Sequence, residues 1–356
     1  MKHLASLLCL QETLYWLLSP RGRKVPAGLP AVEGLEQVSE RCHRVLGLNP
    51  GPHTLHGTNT YLIGAGTELI LVDTGEASTS AAWLAALLSV LQRSGGRIVH
   101  VLLTHGHFDH QGGVCALLAE MARLGMPLPA VHKRRITASG DGRGAECGDY
   151  PARGFPCLHL QDGQQFHCSA EGGQVSACAC VCEGRICMSR MCCVLCPVSP
   201  VLSANPPPSQ SATLRCLYSP GHTDDSVCFA LAEDCALLSG DSVLGCGTSV
   251  FDNLHTYLQS LHAIRLLMLC QPSHTVAAQH EHKDGDNKVP VPVPVPVVLH
   301  TVYPGHGPVV RARSLQHIDA YIENRQSREK QLVRSRDCSF LLCLMSYLLY
   351  YPPHVS

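Results

Sequence analysis

Thr104-His105-Gly106-His107-Phe108-Asp109-His110 is the stretch on which the reading of this chain turns. It puts four metal-ligand side chains, His105, His107, Asp109 and His110, within six residues, directly after a largely apolar run over residues 98–103. A strand that ends in such a cluster delivers its side chains to one point at a sheet edge. Histidines two apart in extended chain project to the same side, and Asp109 and His110 follow a turn later, where they can face a neighbouring position. Neutral imidazoles suit Zn²⁺, and an added carboxylate allows a second ion nearby. The competing reading, a His-rich surface loop, does not account for four ligands at this spacing.

Three later turns extend the pattern. Ser219-Pro220-Gly221-His222-Thr223 follows an expected strand over residues 214–218, and Ser239-Gly240-Asp241 follows one over residues 236–238. Tyr303-Pro304-Gly305-His306-Gly307 follows Leu299-His300-Thr301-Val302. Each offers one ligand type at a strand end, with Gly permitting a tight turn. Singly they are weak signals. With the first motif they complete a two-metal site of seven ligands, six terminal and one bridging carboxylate.

Around these motifs the periodicity predicts α/β structure. A hairpin joins strands over 61–63 and 69–73 through Gly64-Ala65-Gly66. Helices are expected over 81–91, 112–124, 255–269 and 314–333, and strands over 98–103, 214–218, 227–231 and 236–239. Two segments break the pattern. Residues 174–211 combine a cysteine cluster with Pro206-Pro207-Pro208. Residues 277–300 contain Val289-Pro290-Val291-Pro292-Val293-Pro294-Val295-Pro296, which cannot sit inside a sheet. Both read as insertions into a domain over 33–334, which follows an extension over 1–32 and precedes an apolar tail over 335–356.

Composition sets bounds. The 356 residues suffice for one large domain or two ordinary ones. A net charge of −1 supplies no global basic field for tight non-specific nucleic-acid binding, although it leaves room for a local basic groove. No apolar run reaches the roughly 18 residues of a membrane helix, so no membrane span is expected. Of 20 cysteines, eight (Cys168, Cys178, Cys180, Cys182, Cys187, Cys192, Cys193 and Cys196) lie in one segment. The rest are scattered in apolar runs and read as reduced, buried thiols. The cluster holds one C-x-x-C pair where zinc modules usually show two. It is read as a zinc knot, as disordered sequence, or as translated intron beginning near Gln174-Val175-Ser176. Residues 1–24 carry Lys2, Arg21, Arg23 and Lys24 against one acid, Glu12, among apolar pieces. They read equally as a poor mitochondrial presequence or as an unstructured extension.

The H-x-H-x-D-H run, the distant His222, Asp241 and the final His306 together resemble the metallo-β-lactamase superfamily, over about residues 44–331 apart from the insertions. Within it, Asn49-Pro50-Gly51-Pro52, Thr54-Leu55-His56-Gly57-Thr58-Asn59, Asp73-Thr74-Gly75-Glu76, Gly247-Thr248-Ser249-Val250-Phe251 and Asn324-Arg325 are similar to the mitochondrial endoribonuclease branch. The resemblance implies an αββα sandwich with two Zn²⁺ at one edge. It assigns His105, His107 and His222 to one ion, Asp109, His110 and His306 to the other, and Asp241 to the bridge. It makes Asp73 the carboxylate that orients the histidine loop. It places Asn59 near the site, either on a substrate oxygen or as a turn residue beside Gly57. The implied reaction is hydrolysis of single-stranded RNA by a hydroxide shared between the metals, with Asp109 orienting it and Asp241 holding both ions. The implied compartment is the mitochondrial matrix, with the cytoplasm as alternative. Lys133, Arg134 and Arg135 could meet phosphates, but they read rather as a solvated loop, as charge runs on surfaces usually are. The family branch continues into a small C-terminal helical domain, which is largely missing here. Two other readings stand beside this one: a thioester hydrolase of the glyoxalase II kind with the same ligands, and a non-catalytic or misassembled product. Monomer and homodimer both remain open.

Overall fold

The computed structural model describes Val25 and residues 27–134, 157–168, 211–269 and 299–334. The cysteines over 178–196, the Pro-Val repeat, Arg135 and residues 335–356 lie outside the described residues, so the readings placed on them are carried no further. Two residues at the far ends of the expected insertions belong to the fold. The Ser211 carbonyl accepts a hydrogen bond from Arg41 Nε at 3.0 Å. Leu299 is buried in the core, so it is part of the fold and not of a loop that leaves it.

One sheet has seven strands. β1 (Leu35–Ser39), β2 (Cys42–Leu46), β3 (Asn59–Ile63) and β4 (Glu68–Val72) form an antiparallel meander. β5 (Arg97–Leu102), β6 (Ala130–Lys133) and β7 (Leu158–His159) then add in parallel. Parallel pairing requires crossovers. α1 (Ser80–Ser94) supplies the first; α2 (Phe108–Gln111) and α3 (Val114–Arg123) supply the second. The other sheet has five strands in the order β12-β11-β10-β9-β8. They are β8 (Gln165–Cys168), β9 (Ala212–Tyr218), β10 (Val227–Leu231), β11 (Ala236–Gly240) and β12 (Thr301–Pro304). α4 (Leu254–Leu269) and α5 (Ser314–Arg334) complete the chain's described elements.

Strand alternation explains the layering. Every residue of β4 is buried, as expected for a strand covered on both faces. Ile70 and Val72 face the second sheet and meet Phe166, Leu214, Phe229 and Leu238. Leu69 and Leu71 face the other way, onto Trp83, Leu87 and Leu91 of α1 and Leu117 of α3. The second sheet repeats the arrangement. Phe229 points inward, while Cys228 and Leu237 pack beneath Tyr257, Leu261 and Ile264 of α4 and Ile318 of α5. The result is the expected αββα sandwich. Each fully buried Leu or Ile contributes roughly 1.5–3 kcal/mol of transfer free energy.

Several elements differ from expectation. The single helix expected over 112–124 is two, because α2 starts inside the motif at Phe108 and the chain is broken at Gly112-Gly113. β1, β2, β6 and β8 have no clear signal in the sequence. β2 buries Arg44, which is 2.6 Å from Glu36, so its polar positions mask the strand. Cys168 belongs to β8 and is buried between the sheets. Burial pushes its thiol up to about 12, so it is a protonated core residue, not part of a cysteine metal knot. Among the described residues the eight cysteines form no disulfide with one another, in keeping with reduced thiols. No helix among the described residues is long and apolar enough to cross a membrane.

Candidate metal centre

The candidate ligands lie beyond strand ends at one rim of the sandwich. The motif follows β5, His222 follows β9, Asp241 follows β11 directly and His306 follows β12. An isolated bridge between Thr58 and His306 ties the two sheets together at this rim.

The side chains form two groups. In the first, His105 Nε2 is 2.9 Å from His107 Nδ1, and His222 Nε2 lies 3.2 Å and 3.1 Å from those two nitrogens. In the second, Asp109 Oδ2 is 3.3 Å from His110 Nε2 and 3.2 Å from His306 Nε2, and the two imidazole nitrogens are 3.4 Å apart. Asp241 faces both groups. Its oxygens lie 3.3 Å from His110 Nε2, 3.3 Å from His306 Nε2 and 3.6 Å from His222 Nε2. All seven residues named from the sequence are therefore brought together.

The far side of each ring fixes its tautomer. Asp73 accepts from His110 Nδ1 at 2.8 Å, and from the Thr104 amide and hydroxyl at 2.8 Å each. Because the Thr104 hydroxyl donates to Asp73, it accepts at 3.0 Å from His105 Nδ1. The Val250 carbonyl accepts from His222 Nδ1 at 2.7 Å, and the Gly57 carbonyl from His306 Nδ1 at 3.2 Å. Each of these rings thus has its Nδ1 proton held by an outer oxygen and points Nε2 into the site, as outer hydrogen bonds do for ligating histidines. His105 and His222, whose basicity is lowered, present that Nε2 bare. Asp73 itself sits at φ +60°, the left-handed region that non-glycine residues seldom occupy.

These tautomers test whether a cation fits. His105 and His222 present lone pairs to each other at 3.2 Å, an arrangement that no hydrogen bond between them resolves. Asp241 Oδ1 is buried without a hydrogen-bond partner. A cation among these atoms satisfies both conditions, and neutral imidazole with carboxylate suits a divalent metal.

Electrostatics separate the groups. Burial, reinforced by neighbouring imidazoles, holds His105 well below its usual range and His222 down to about 4. Burial also lowers His107, against the pull of Asp109 and Asp241. In the second group burial opposes the charged forms and loses. The carboxylates of Asp109, Asp241 and Asp73 lift His110 well above its ordinary value, and Asp241 and Asp109 lift His306 to about 10. Burial likewise works to raise Asp109 and Asp241, but His110 and His306 hold both carboxyls well below the usual range.

Two glycines make the approach possible. A Cβ at Gly305 would sit 2.3 Å from Asp241 Oδ1. One at Gly221, where φ is +130°, would sit 2.3 Å from the Tyr257 backbone.

One expectation needs correction. Asn59 is buried on β3, and its amide donates to the Pro304 and Gly307 carbonyls at 2.9 Å and 2.8 Å. With both donor protons used, it has none for a substrate oxygen. It holds the turn that carries His306. Of the other contributors, only Lys133 was singled out in the sequence. The Thr58 hydroxyl donates to Asp109 Oδ2 at 2.9 Å and is itself held by Asn49 at 3.1 Å. Lys133 Nζ sits 3.5 Å from Asp225 and 3.3 Å from Gln111, whose amide donates to the Gly106 carbonyl at 2.5 Å. Thr58 stands within a quoted motif, which was its only signal. The Val250 and Gly57 carbonyls are backbone, to which no residue-type pattern points.

The chain is similar to several known proteins. A family model described as Metallo-beta-lactamase superfamily matches residues 53–120. An atrochrysone carboxyl ACP thioesterase of Aspergillus terreus is 32% identical over 237 residues, 67% of this chain and 54% of the relative, so the chain spans about half the length of that fungal protein. Among solved structures, a Beta-lactamase domain protein from Burkholderia ambifaria is 19% identical, with 86% of this chain and 80% of that one covered at a TM-score of 0.48. A Beta-lactamase-like protein 2 homolog of Caenorhabditis elegans is 30% identical over 306 residues, 86% of this chain and 74% of the relative. That match runs through most of both proteins, and the chain therefore belongs to the metallo-β-lactamase superfamily.

Proposed function

We propose that the protein is a hydrolase that binds two Zn²⁺ and cleaves phosphodiester bonds of single-stranded RNA. The observation that carries the two-metal part is the Asp241 carboxylate, which faces both donor groups at 3.3–3.6 Å. His105, His107 and His222 would hold one ion, Asp109, His110 and His306 the other, and Asp241 both. When bound, such a pair supplies a nucleophilic water near neutral pH and Lewis acidity for the leaving oxygen. The chain's own part is orientation. Asp109, kept anionic and steered by the Thr58 hydroxyl, accepts a hydrogen bond from the attacking water. Asp73 and the Val250 and Gly57 carbonyls keep the ring protons away from the reacting face.

RNA as substrate rests on the motif resemblance to the endoribonuclease branch. One feature of the site neighbourhood supports it. The Arg134 guanidinium stacks 3.6 Å above the Tyr218 ring, which offers a cation and a flat surface to phosphates and bases. Thioester hydrolysis is the second reading, supported by the fungal relative named as an acyl-carrier thioesterase. Zinc-loaded protein should cleave a mixed-sequence single-stranded RNA, and an Asp241→Ala control should not. Hydrolysis of an acyl-glutathione or acyl-pantetheine without RNA cleavage would replace the first reading with the second. Inactivity on both would remove the hydrolase reading for this form of the chain. A mitochondrial matrix location belongs to the same proposal. A reporter fused to residues 1–32 that stays in the cytoplasm would refute it.

A further inference from the structure

We infer that Arg325 is a positioning residue for the His105–His107–His222 cluster, acting on His222 through the backbone of Ser249 and Val250. The inference rests on the two-metal reading proposed above. His222 is steered from behind by the Val250 carbonyl, which accepts its Nδ1 proton at 2.7 Å. That carbonyl belongs to the segment between β11 and α4, which is irregular, and the Val250 side chain is exposed. Its aim therefore depends on what anchors the backbone on either side.

The anchors are visible. On one side, the Asp252 amide donates to the Gly221 and His222 carbonyls at 2.8 Å and 3.1 Å, and the Asn253 amide to Gly221 at 3.1 Å. On the other, the Arg325 guanidinium reaches from α5 and donates to the Ser249 carbonyl. The Ser249 hydroxyl is buried and donates to the Val250 carbonyl at 3.0 Å, so it shares the acceptor with His222. The guanidinium plane also lies 4.9 Å from the Phe251 ring and 5.8 Å from Tyr257, two rings that stack on each other at 5.6 Å. The same helix grips the segment at a second point, where the Tyr321 hydroxyl accepts from the Leu244 amide at 2.9 Å and His317 Nε2 donates to the Leu244 carbonyl at 2.7 Å. α5 therefore clamps the stretch that runs from Asp241 to Val250. Arg325 is the clamp nearest His222.

The residue type matters. A flat guanidinium can donate in its plane and stack on an aromatic face together, whereas a lysine ammonium is a point charge without a plane. Arg325 also has no place among the seven donors, so it touches neither the ions nor the reacting atoms. Its effect must reach the site through His222, and it should be felt at one metal position only.

The test is a metal titration of the full chain, stripped of metal, with Zn²⁺ or Co²⁺ competed against a chromophoric chelator. Wild type should take up two ions. In Arg325→Ala one step should weaken about 10–100-fold, the range found when outer-shell partners of metal ligands are removed, with the other step unchanged. Added to His222→Ala, the Arg325 change should have no further effect. Added to His306→Ala, it should keep its full effect. Arg325→Lys should show the same selective weakening, smaller in size, and it decides the matter if Arg325→Ala does not fold. Equal weakening of both steps, or unchanged affinity in both variants, overturns the inference. Failure of the wild type to bind two ions would overturn the two-metal reading instead, and this inference with it.

Discussion

Two groups of buried histidines in this molecule differ in what their rings can do. At the sandwich rim, the outer nitrogens of His105, His110, His222 and His306 each donate to an oxygen, and their other nitrogens converge. In the interior, His132 on β6 lies 2.9 Å from the half-buried His100 on β5, and both rings pack edge-on against Phe166. There, His100 Nε2 and His132 Nδ1 are buried without a partner. Both groups are rich in imidazole. What separates them is an acceptor behind each ring and a carboxylate facing it. Burial alone lowers basicity; the oxygen on the outer nitrogen turns a buried histidine into an aimed donor.

The largest expected effect breaks the rim at its shared carboxylate. Asp241→Ala removes the one group that faces both donor sets. Hydrolysis should fall by about a thousandfold or more, since metal electrostatics supply several kcal/mol of transition-state stabilisation. Bound metal should fall with it, by elemental analysis of purified protein. A variant that keeps its turnover would end the two-metal assignment.

Acid sharpens the other side of the comparison. Burial, aided by His100, pushes His132 down to about 4 from an ordinary 6.5. The folded state therefore binds this proton less readily than the unfolded state. The contribution is fully present above about pH 6.5 and is lost as pH falls toward 4, by about 3 kcal/mol over that window. In metal-stripped protein, urea midpoints at pH 7 and pH 4 should diverge by correspondingly less in His132→Leu than in wild type. Equal acid sensitivity of the two proteins would mean that the pair is hydrated or already charged.

The two groups were also unequally legible. The rim ligands stand in short motifs after apolar runs, so chemistry and position reinforce each other, and all seven meet in the fold. Asp73 was placed by family resemblance and does bond His110. The His100–His132 pair has no such signature. His100 sits in an apolar run, and β6 is four residues long with a terminal Lys. Strands that alternate cleanly or are wholly apolar, such as β4 and β10, were readable. β1, β2 and β8 were not, because partly covered strands carry polar residues on one face. Asn59 misled because its residue type suits a substrate contact, and only tertiary structure shows that the Pro304 and Gly307 carbonyls use up its donors.

Asp73→Asn tests the distinction directly, by giving His110 a wrong partner. The Thr104 amide donates to Asp73 Oδ1, which will keep the asparagine oxygen at that position. The asparagine NH₂ then faces His110 Nδ1 and forces the ring proton onto Nε2, where a lone pair is needed. Metal affinity at the second group should drop about 10–100-fold, with a smaller loss at the first, which Asp73 Oδ2 also reaches through the Thr104 hydroxyl. Titration of metal-free protein measures both steps. Loss spread evenly over the two would show that Asp73 supports the whole loop and does not set one tautomer.

Thr58→Val probes the smallest of these effects, because it removes a hydroxyl and leaves the shape. Thr58 donates to Asp109 Oδ2, while its amide is held by Asn49 Oδ1 at 2.9 Å, so the backbone should stay in place. Hydrogen bonds to charged groups are worth about 1.5–3 kcal/mol when buried. Asp109 is partly exposed, with 19% of its side chain open, so the lower end applies and turnover should fall about tenfold. The second metal should remain bound, since His110 and His306 are untouched. A fall in kcat with KM unchanged would fit a carboxylate that orients the attacking water. Loss of metal without that kinetic split would mean that the hydroxyl supports Asp109 only as a ligand.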